Sequence, residues 1–338
     1  MKTIGVSMIV KNEAECIEAC LESVKQADEI VIVDTGSEDN TVEICKRYTD
    51  KVFTDYKWND DFAEARNRSL DKCTTDWVLI IDADEQLIDT IMKIKTMLNG
   101  GFMHKYLGVM FNVQTKTELI KSCRIVKRDK HLRWEQEAHN VLTNREGFKS
   151  TGDEEMDLIA VSASLKNRCY ESHLLIKSDY SKAHFTDPDR TMRILTKMLK
   201  RNPDHTRAMY YMAREYVNRC MGSDKNSDQW HDYNLKVIDL LERHDEICFV
   251  RDWTNIYADA MYLLGLAYMG EGRWHDGVMA ALKSFMILPS YKAPLYFLSV
   301  AMSDTPKTMH RMMEHSKFWK TLSERATNAN VAQIRNIN

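Results

Sequence analysis

At 338 residues the chain is long enough for two domains, and its make-up, 44% hydrophobic and 29% charged, is that of a soluble globular protein. A net charge of −3 excludes the global electrostatic signature of a nucleic-acid or anionic-membrane binder, leaving only a local basic patch as a route to such partners. No run of about 18 apolar residues offers a membrane span, and Met1-Lys2-Thr3 leads into a short strand rather than a signal-peptide core, so a cytoplasmic location is expected.

Ile4-Gly5-Val6-Ser7-Met8-Ile9-Val10 reads as a strand buried on both faces, because a continuous apolar run lacks the polar alternation of a half-exposed one. A helix is predicted over 13–26, followed by the strand Glu29-Ile30-Val31-Ile32-Val33-Asp34. Residues 40–48 read as helical, Lys51-Val52-Phe53-Thr54 as a short third strand, 62–70 as a helix and Trp77-Val78-Leu79-Ile80-Ile81 as a fourth strand. Strands alternating with helices over short connections give a mostly parallel, Rossmann-like sheet with crossover helices. Function in such sheets gathers at the carboxyl ends of the strands. Three polar clusters stand there: Lys11-Asn12-Glu13, Asp34-Thr35-Gly36-Ser37 and Asp82-Ala83-Asp84-Glu85.

Beyond about residue 178 the strand pattern stops. Residues 187–200 are an amphipathic helix ended by Asn202-Pro203, and 207–219 are the next helix. Between 261 and 289, Leu264, Gly265, Tyr268 and Pro289 match the spacing of a tetratricopeptide repeat, with Gly277 and Ser284 small enough for paired helices to approach. Ala281 stands where that repeat carries an aromatic residue. The chain is therefore divided into an α/β domain, 1–175, and an all-α, TPR-like array, 176–338, a kind of module that binds or scaffolds more often than it catalyses. The eight cysteines have no paired CxxC spacing for zinc or a redox dithiol and read as inert thiols.

Two carboxylates one residue apart at a strand end, Asp82 and Asp84, can reach both a hard divalent cation and a ribose. A cation bridging a diphosphate is an economical way to stabilise the charge that develops when such a group leaves. By itself the triplet could equally be a turn in which Asp84 caps a helix. Asp34 can accept hydrogen bonds from a base edge or ribose hydroxyls, or else close an Asx-type turn. Lys11 and Arg66 are candidates to neutralise phosphate.

The residues that carry these clusters resemble the family 2 glycosyltransferases with a GT-A fold. The matching segments are Ser7-Met8-Ile9-Val10-Lys11-Asn12-Glu13, Asp28-Glu29-Ile30-Val31-Ile32-Val33-Asp34-Thr35-Gly36-Ser37, Trp58-Asn59-Asp60-Asp61-Phe62-Ala63-Glu64-Ala65-Arg66-Asn67 and Asp76-Trp77-Val78-Leu79-Ile80-Ile81-Asp82-Ala83-Asp84-Glu85, in that order. The resemblance implies a nucleotide-diphosphate sugar donor, a UDP-sugar foremost, with Mn2+ or Mg2+ and inversion at the anomeric carbon. It implies a donor site of Val10, Lys11, Glu13, Asp34, Arg66, Asp82, Ala83 and Asp84, and Asp84, His139 and Asp82 as metal ligands. His139 lies in Trp134-Glu135-Gln136-Glu137-Ala138-His139-Asn140, where Asn140 replaces the glutamate common in the family. The catalytic base then falls to Glu137, preferred for its proximity to His139, or to Glu135; strand alternation would aim both the same way as His139.

Seven cations between 116 and 133 (Lys116, Lys121, Arg124, Lys127, Arg128, Lys130 and Arg133) read in three ways. They are a solvated strand pair, a diphosphate grip through Arg124 or Arg128, or a track for a polyanionic acceptor such as DNA. Three functions follow: a glycosyltransferase acting on a protein, peptide or saccharide; a DNA-modifying glycosyltransferase that needs its base flipped out or unpaired; and a non-catalytic scaffold. Nothing in the sequence sets the oligomeric state.

Overall fold

The computed structural model describes residues 1–179, 186–225, 227–248 and 254–303. The chain forms two compact units divided between Arg190 and Thr191. The last strand of the sheet runs to Ser178.

The first unit begins with β1 (Ile4–Val10), α1 (Ile17–Val24), β2 (Glu29–Asp34), α2 (Thr41–Cys45), β3 (Val52–Phe53), α3 (Phe62–Lys72) and β4 (Trp77–Ile80). It continues with β5 (Glu85–Leu87), α4 (Ile91–Leu98), β6 (Gly108–Gln114), β7 (Leu119–Lys127), β8 (Leu132–Glu135), β9 (Val141–Asn144), α5 (Glu154–Asn167) and β10 (Cys169–Ser178). Eight strands make one sheet in the order β3-β2-β1-β4-β7-β6-β10-β5, while β8 and β9 pair separately. The pairings among β3, β2, β1 and β4 are parallel, as is β6 with β10; β7 runs antiparallel to both its neighbours and β5 antiparallel to β10. The α/β expectation holds, with an antiparallel flank that the sequence pattern did not announce.

The continuous apolar runs are buried on both faces, as their composition requires. Ile4, Val6, Met8 and Val10 of β1 pack with Ile17, Cys20, Leu21 and Val24 of α1 and with Ile91, Ile94 and Leu98 of α4. Those α1 positions recur at helical spacing and give the helix one apolar face. On the opposite side Val31, Val78 and Ile80 pack with Leu70, Val126 and Leu165. Each fully buried aliphatic side chain here contributes roughly 1.5–3 kcal/mol relative to exposure.

Helix α1 starts later than the predicted residue 13. Asn12 takes a left-handed backbone (φ 56), and Glu13 O accepts from both Cys16 N and Ile17 N, so residues 13–16 form a turn before the helix. The segment ends where it does because the loops after β1 and β2 bind each other, as described below.

After β1 the chain moves outward to β2 and β3, then returns past β1 to add β4 on its other side. Connections that diverge from adjacent parallel strands open a crevice at their carboxyl ends, where ligands bind in sheets of this type. Val10 pairs with Asp34, and Ser7 with Ile80, so Lys11, Asp34 and the residues after Ile81 stand along one edge.

The second unit is helical: α6 (Arg190–Arg201), α7 (Thr206–Met221), α8 (Asp228–Cys248), α9 (Thr254–Gly270), α10 (Trp274–Ile287) and α11 (Lys292–Ser303). The helices expected between 261 and 289 are α9 and α10, which meet through their glycines. A Cβ on Gly277 would lie 2.7 Å from Met269 Cγ and 3.0 Å from Gly265 O, so only glycine allows this approach. Ser284 Oγ donates to Ala258 O at 2.6 Å across the same pair. Among the described residues no helix is long and apolar enough to cross a membrane.

Candidate functional site

The loops after β1 and β2 are stitched together by polar side chains. Asn12 N donates to Ser37 Oγ at 2.9 Å, Glu38 N donates to Asn12 Oδ1 at 2.7 Å, and Thr35 N donates to Val10 O at 2.9 Å. Asp34 is 4% exposed, and its carboxylate accepts from Gly36 N at 3.0 Å and Ser37 N at 3.1 Å. Gly36 has φ 105, a conformation natural to glycine, which lets the backbone turn back onto that carboxylate. The Asx-type turn is thus real, and its two donors fix the carboxylate at the strand end with acceptor capacity to spare. Lys11 is exposed at the tip of this edge and Glu13 is half-buried, its N–H bound to Thr41 Oγ1 at 2.7 Å. Val10 and Ala83 are buried, so only their backbones can face a ligand.

Asp82 stands between two guanidinium groups. Arg66 Nη2 donates to Asp82 Oδ1 at 2.8 Å, and Arg124 Nη1 lies 3.9 Å from Asp82 Oδ2. Arg66 comes from α3, whose first turn is capped by Asp61 accepting from Glu64 N at 2.9 Å. The next residue, Asn67, binds both Trp134 N and Trp134 O at 2.8 Å, which fixes β8 against α3 and puts the indole 5.2 Å from the Arg66 guanidinium. Asp84 is half-buried one residue along, with its carbonyl accepting from Asp179 N at 3.1 Å.

Glu85, which sequence reasoning listed only as the end of a motif, belongs to the same cluster. It is 3% exposed; its Oε2 accepts from Asp82 N at 3.0 Å and its Oε1 from Arg124 Nη2 at 2.7 Å. Burial pushes its carboxyl up to about 7 against the pull of Arg124, and the charges of Asp82 and Asp84 push the same way as burial. The one signal available beforehand was a third acid, after Asp82 and Asp84, close behind a buried strand.

The stretch 134–140 does not continue as a strand. β8 ends at Glu135, and Gln136 and His139 adopt left-handed backbone (φ 76 and 50), so alternation fails after Glu135. Glu135 therefore parts from Glu137. Its carboxylate accepts from Arg145 Nε at 2.8 Å, Arg145 Nη2 at 2.6 Å and Thr143 Oγ1 at 2.6 Å, holding the β8–β9 hairpin. Burial opposes that charge, but the Arg145 and Thr143 bonds prevail and hold the carboxyl below its ordinary value. Three donors thus engage the Glu135 carboxylate within the hairpin. Glu137 instead sits beside the start of α3: its carbonyl accepts from Phe62 N at 3.0 Å, and its charge adds to burial in raising the Asp61 carboxyl. The expected metal set of Asp82, Asp84 and His139 is not assembled as one cage; among the described residues no three His, Cys, Asp or Glu gather to hold a cation.

The basic strip is divided rather than continuous. Lys121 pairs with Glu171, Arg133 with Asp71 at 3.1 Å, Arg128 Nε donates to Thr75 O at 3.0 Å, and Arg124 points into the acidic cluster. Four of the seven cations thus have partners among the acids or backbone of the same unit.

The Glycosyl transferase family 2 model matches residues 6–158. A TPR repeat-containing protein of Synechococcus elongatus is 47% identical over 90 residues, and the SPbeta prophage-derived glycosyltransferase SunS of Bacillus subtilis is 43% identical over 84 residues. These matches take in 26% and 24% of this chain and 22% and 20% of the relatives, so the chain spans about a fifth of their length. Among solved structures, S. aureus TarS 1-349 is 14% identical with a TM-score of 0.40, over 95% of this chain and 90% of that one, a likeness too low to bear on function. All four strand-end segments, from Ser7 to Glu85, fall inside the matched region, so the similarity to glycosyl transferase family 2 covers the sheet edge described above.

Proposed function

We propose that the chain is a glycosyltransferase that binds a nucleotide-diphosphate sugar, in the first instance a UDP-sugar, at the carboxyl ends of β1, β2 and β4. It passes the sugar to a protein, peptide or saccharide acceptor. The observation that carries this reading is the meeting of Asp34, Asp82 and Asp84 on one sheet edge, at the point where the strand order reverses, within the region similar to family 2.

Mn2+ or Mg2+ fits the donor set. Such ions take carboxylate oxygens, and one that also binds phosphates needs one or two carboxylates from the protein rather than a closed cage. Asp84 and Asp82 would hold it, and when bound it would neutralise charge on the leaving diphosphate. Asp34, fixed by two backbone donors, receives the hydroxyls of the ribose or a base N–H. Arg66, stacked on Trp134, and exposed Lys11 add positive charge for the phosphates. Glu137 takes the proton from the acceptor hydroxyl or thiol as it attacks, giving inversion at the anomeric carbon.

The reading is tested with purified full chain: calorimetry with UDP and Mn2+, then hydrolysis of UDP-, GDP- and TDP-sugars, then mass measurement of candidate acceptors. Absence of nucleotide-diphosphate binding at millimolar concentration overturns it. The base is tested by a pair of variants. Glu137→Gln lowers kcat by roughly 100-fold or more with donor affinity kept, the usual range for losing a general base. Glu135→Gln holds kcat within a few-fold but costs about 1–3 kcal/mol of stability, because Arg145 loses a charged partner. The reverse pattern would exchange the two roles.

A further inference from the structure

Arg124 reached its position by an irregularity in the sheet. β7 pairs with β6 as Val109↔Ile125 and then Met110↔Cys123, so Arg124 is the extra residue of a β-bulge. A bulge re-aims a side chain that regular alternation would send elsewhere, and bulges gather beside active sites. Its side chain is 13% exposed, and its guanidinium is bound to Glu85 Oε1 at 2.7 Å and lies 3.9 Å from Asp82 Oδ2.

We propose that Arg124 is a positioning residue for the Asp82-Ala83-Asp84 segment, an inference that rests on the donor-site reading above. Two linkages carry it. First, the two oxygens of Asp82 face two guanidinium groups from different elements, Arg66 on Oδ1 and Arg124 on Oδ2, which fixes the rotation of the carboxylate. Second, Arg124 holds one oxygen of Glu85 while the other accepts from Asp82 N, so the same guanidinium restrains the backbone from which Asp82 and Asp84 project. The Arg124 Nε–H is buried without a hydrogen-bond partner. Its contacts are all through the outer nitrogens toward the acids, an arrangement set by where the fork must reach rather than by full satisfaction of the side chain.

A simpler role would be to neutralise buried Glu85, and the experiment separates the two. Wild type, Arg124→Met, Arg124→Lys and the double variant Arg124→Met/Glu85→Gln are compared as full chains for melting temperature and for affinity toward UDP with Mn2+. Arg124→Met weakens UDP–Mn2+ binding by about 10–100-fold, the range seen when a residue that orients metal ligands is lost. Arg124→Lys recovers melting temperature but only part of the affinity, because an ammonium is a point charge without the planar fork. The double variant, which no longer buries an uncompensated acid, melts near wild type yet still binds UDP–Mn2+ weakly. Wild-type affinity in the double variant overturns the positioning role and leaves Arg124 as a counter-charge. Wild type that binds no UDP with Mn2+ overturns the donor-site reading itself, and the positioning role with it.

Discussion

Asp84→Ala abolishes sugar transfer while leaving the protein folded, with kcat/KM lowered by about 10^3-fold or more, equivalent to roughly 4 kcal/mol of lost transition-state stabilisation. The size follows from the proposed donor reading, in which a diphosphate leaving group develops charge that a carboxylate-held cation would offset. The survival of the fold follows from position. Asp84 is half-buried beyond the end of β4, outside the apolar clusters, and its loop is shaped by backbone bonds and by the Glu85 carboxylate on Asp82 N. Asp84 O receives Asp179 N, and Asp82 O receives Glu85 N at 3.0 Å; neither needs the Asp84 carboxylate. Asp82→Ala would be a poorer probe, since it also removes a partner of Arg66 and Arg124. The check is donor turnover beside a melting curve. Full activity with an unchanged melting temperature would remove the metal assignment, whereas lost activity with a melt lowered by many degrees would make Asp84 structural.

The half of the site that was legible in the sequence is the half set by local rules. β1, β2 and β4 are visible because strands covered on both faces must be apolar throughout, and polar residues at their ends then stand out along one edge. What stayed hidden depends on pairing between distant segments. Arg124 looked like one of seven cations on a strand, because a bulge is decided by how β7 lies against β6 and leaves no local signature. Strand alternation aims Glu135 and Glu137 the same way and leaves only nearness to His139 to favour Glu137, whereas the left-handed backbones of Gln136 and His139 end that alternation. The lock of Asn67 on Trp134, which gives Arg66 its platform, joins residues 67 positions apart. The acidic cluster was therefore foreseeable and its cationic frame was not.

In the helical unit the largest expected loss of stability comes from Asp259→Ala, at about 3–5 kcal/mol. Asp259 lies in α9 at 2% exposure, within a turn whose neighbours Ala258, Ala260 and Met261 are also buried. Such a carboxylate persists only if its oxygens are bonded. Tyr210 of α7 donates to Oδ2 at 2.6 Å and Tyr291, just before α11, donates to Oδ1 at 2.7 Å. Burial, and then the Asp259 charge, push the Tyr210 phenol well above its ordinary value, so it remains a donor at any physiological pH. Arg214, 5.7 Å from the Tyr210 ring, also draws on the Asp259 charge. Alanine strands two buried hydroxyls and one half-buried cation together and leaves a cavity, which is why the sum exceeds a single lost hydrogen bond. Asp259→Asn keeps one acceptor and costs less, about 1–3 kcal/mol, since its amide must now face a hydroxyl that can rotate to accept. Urea unfolding of the full chain followed by far-ultraviolet circular dichroism gives both values. A loss under about 1 kcal/mol for alanine would show that apolar packing such as Gly265 on Gly277, rather than the Asp259 network, sets the arrangement of these helices.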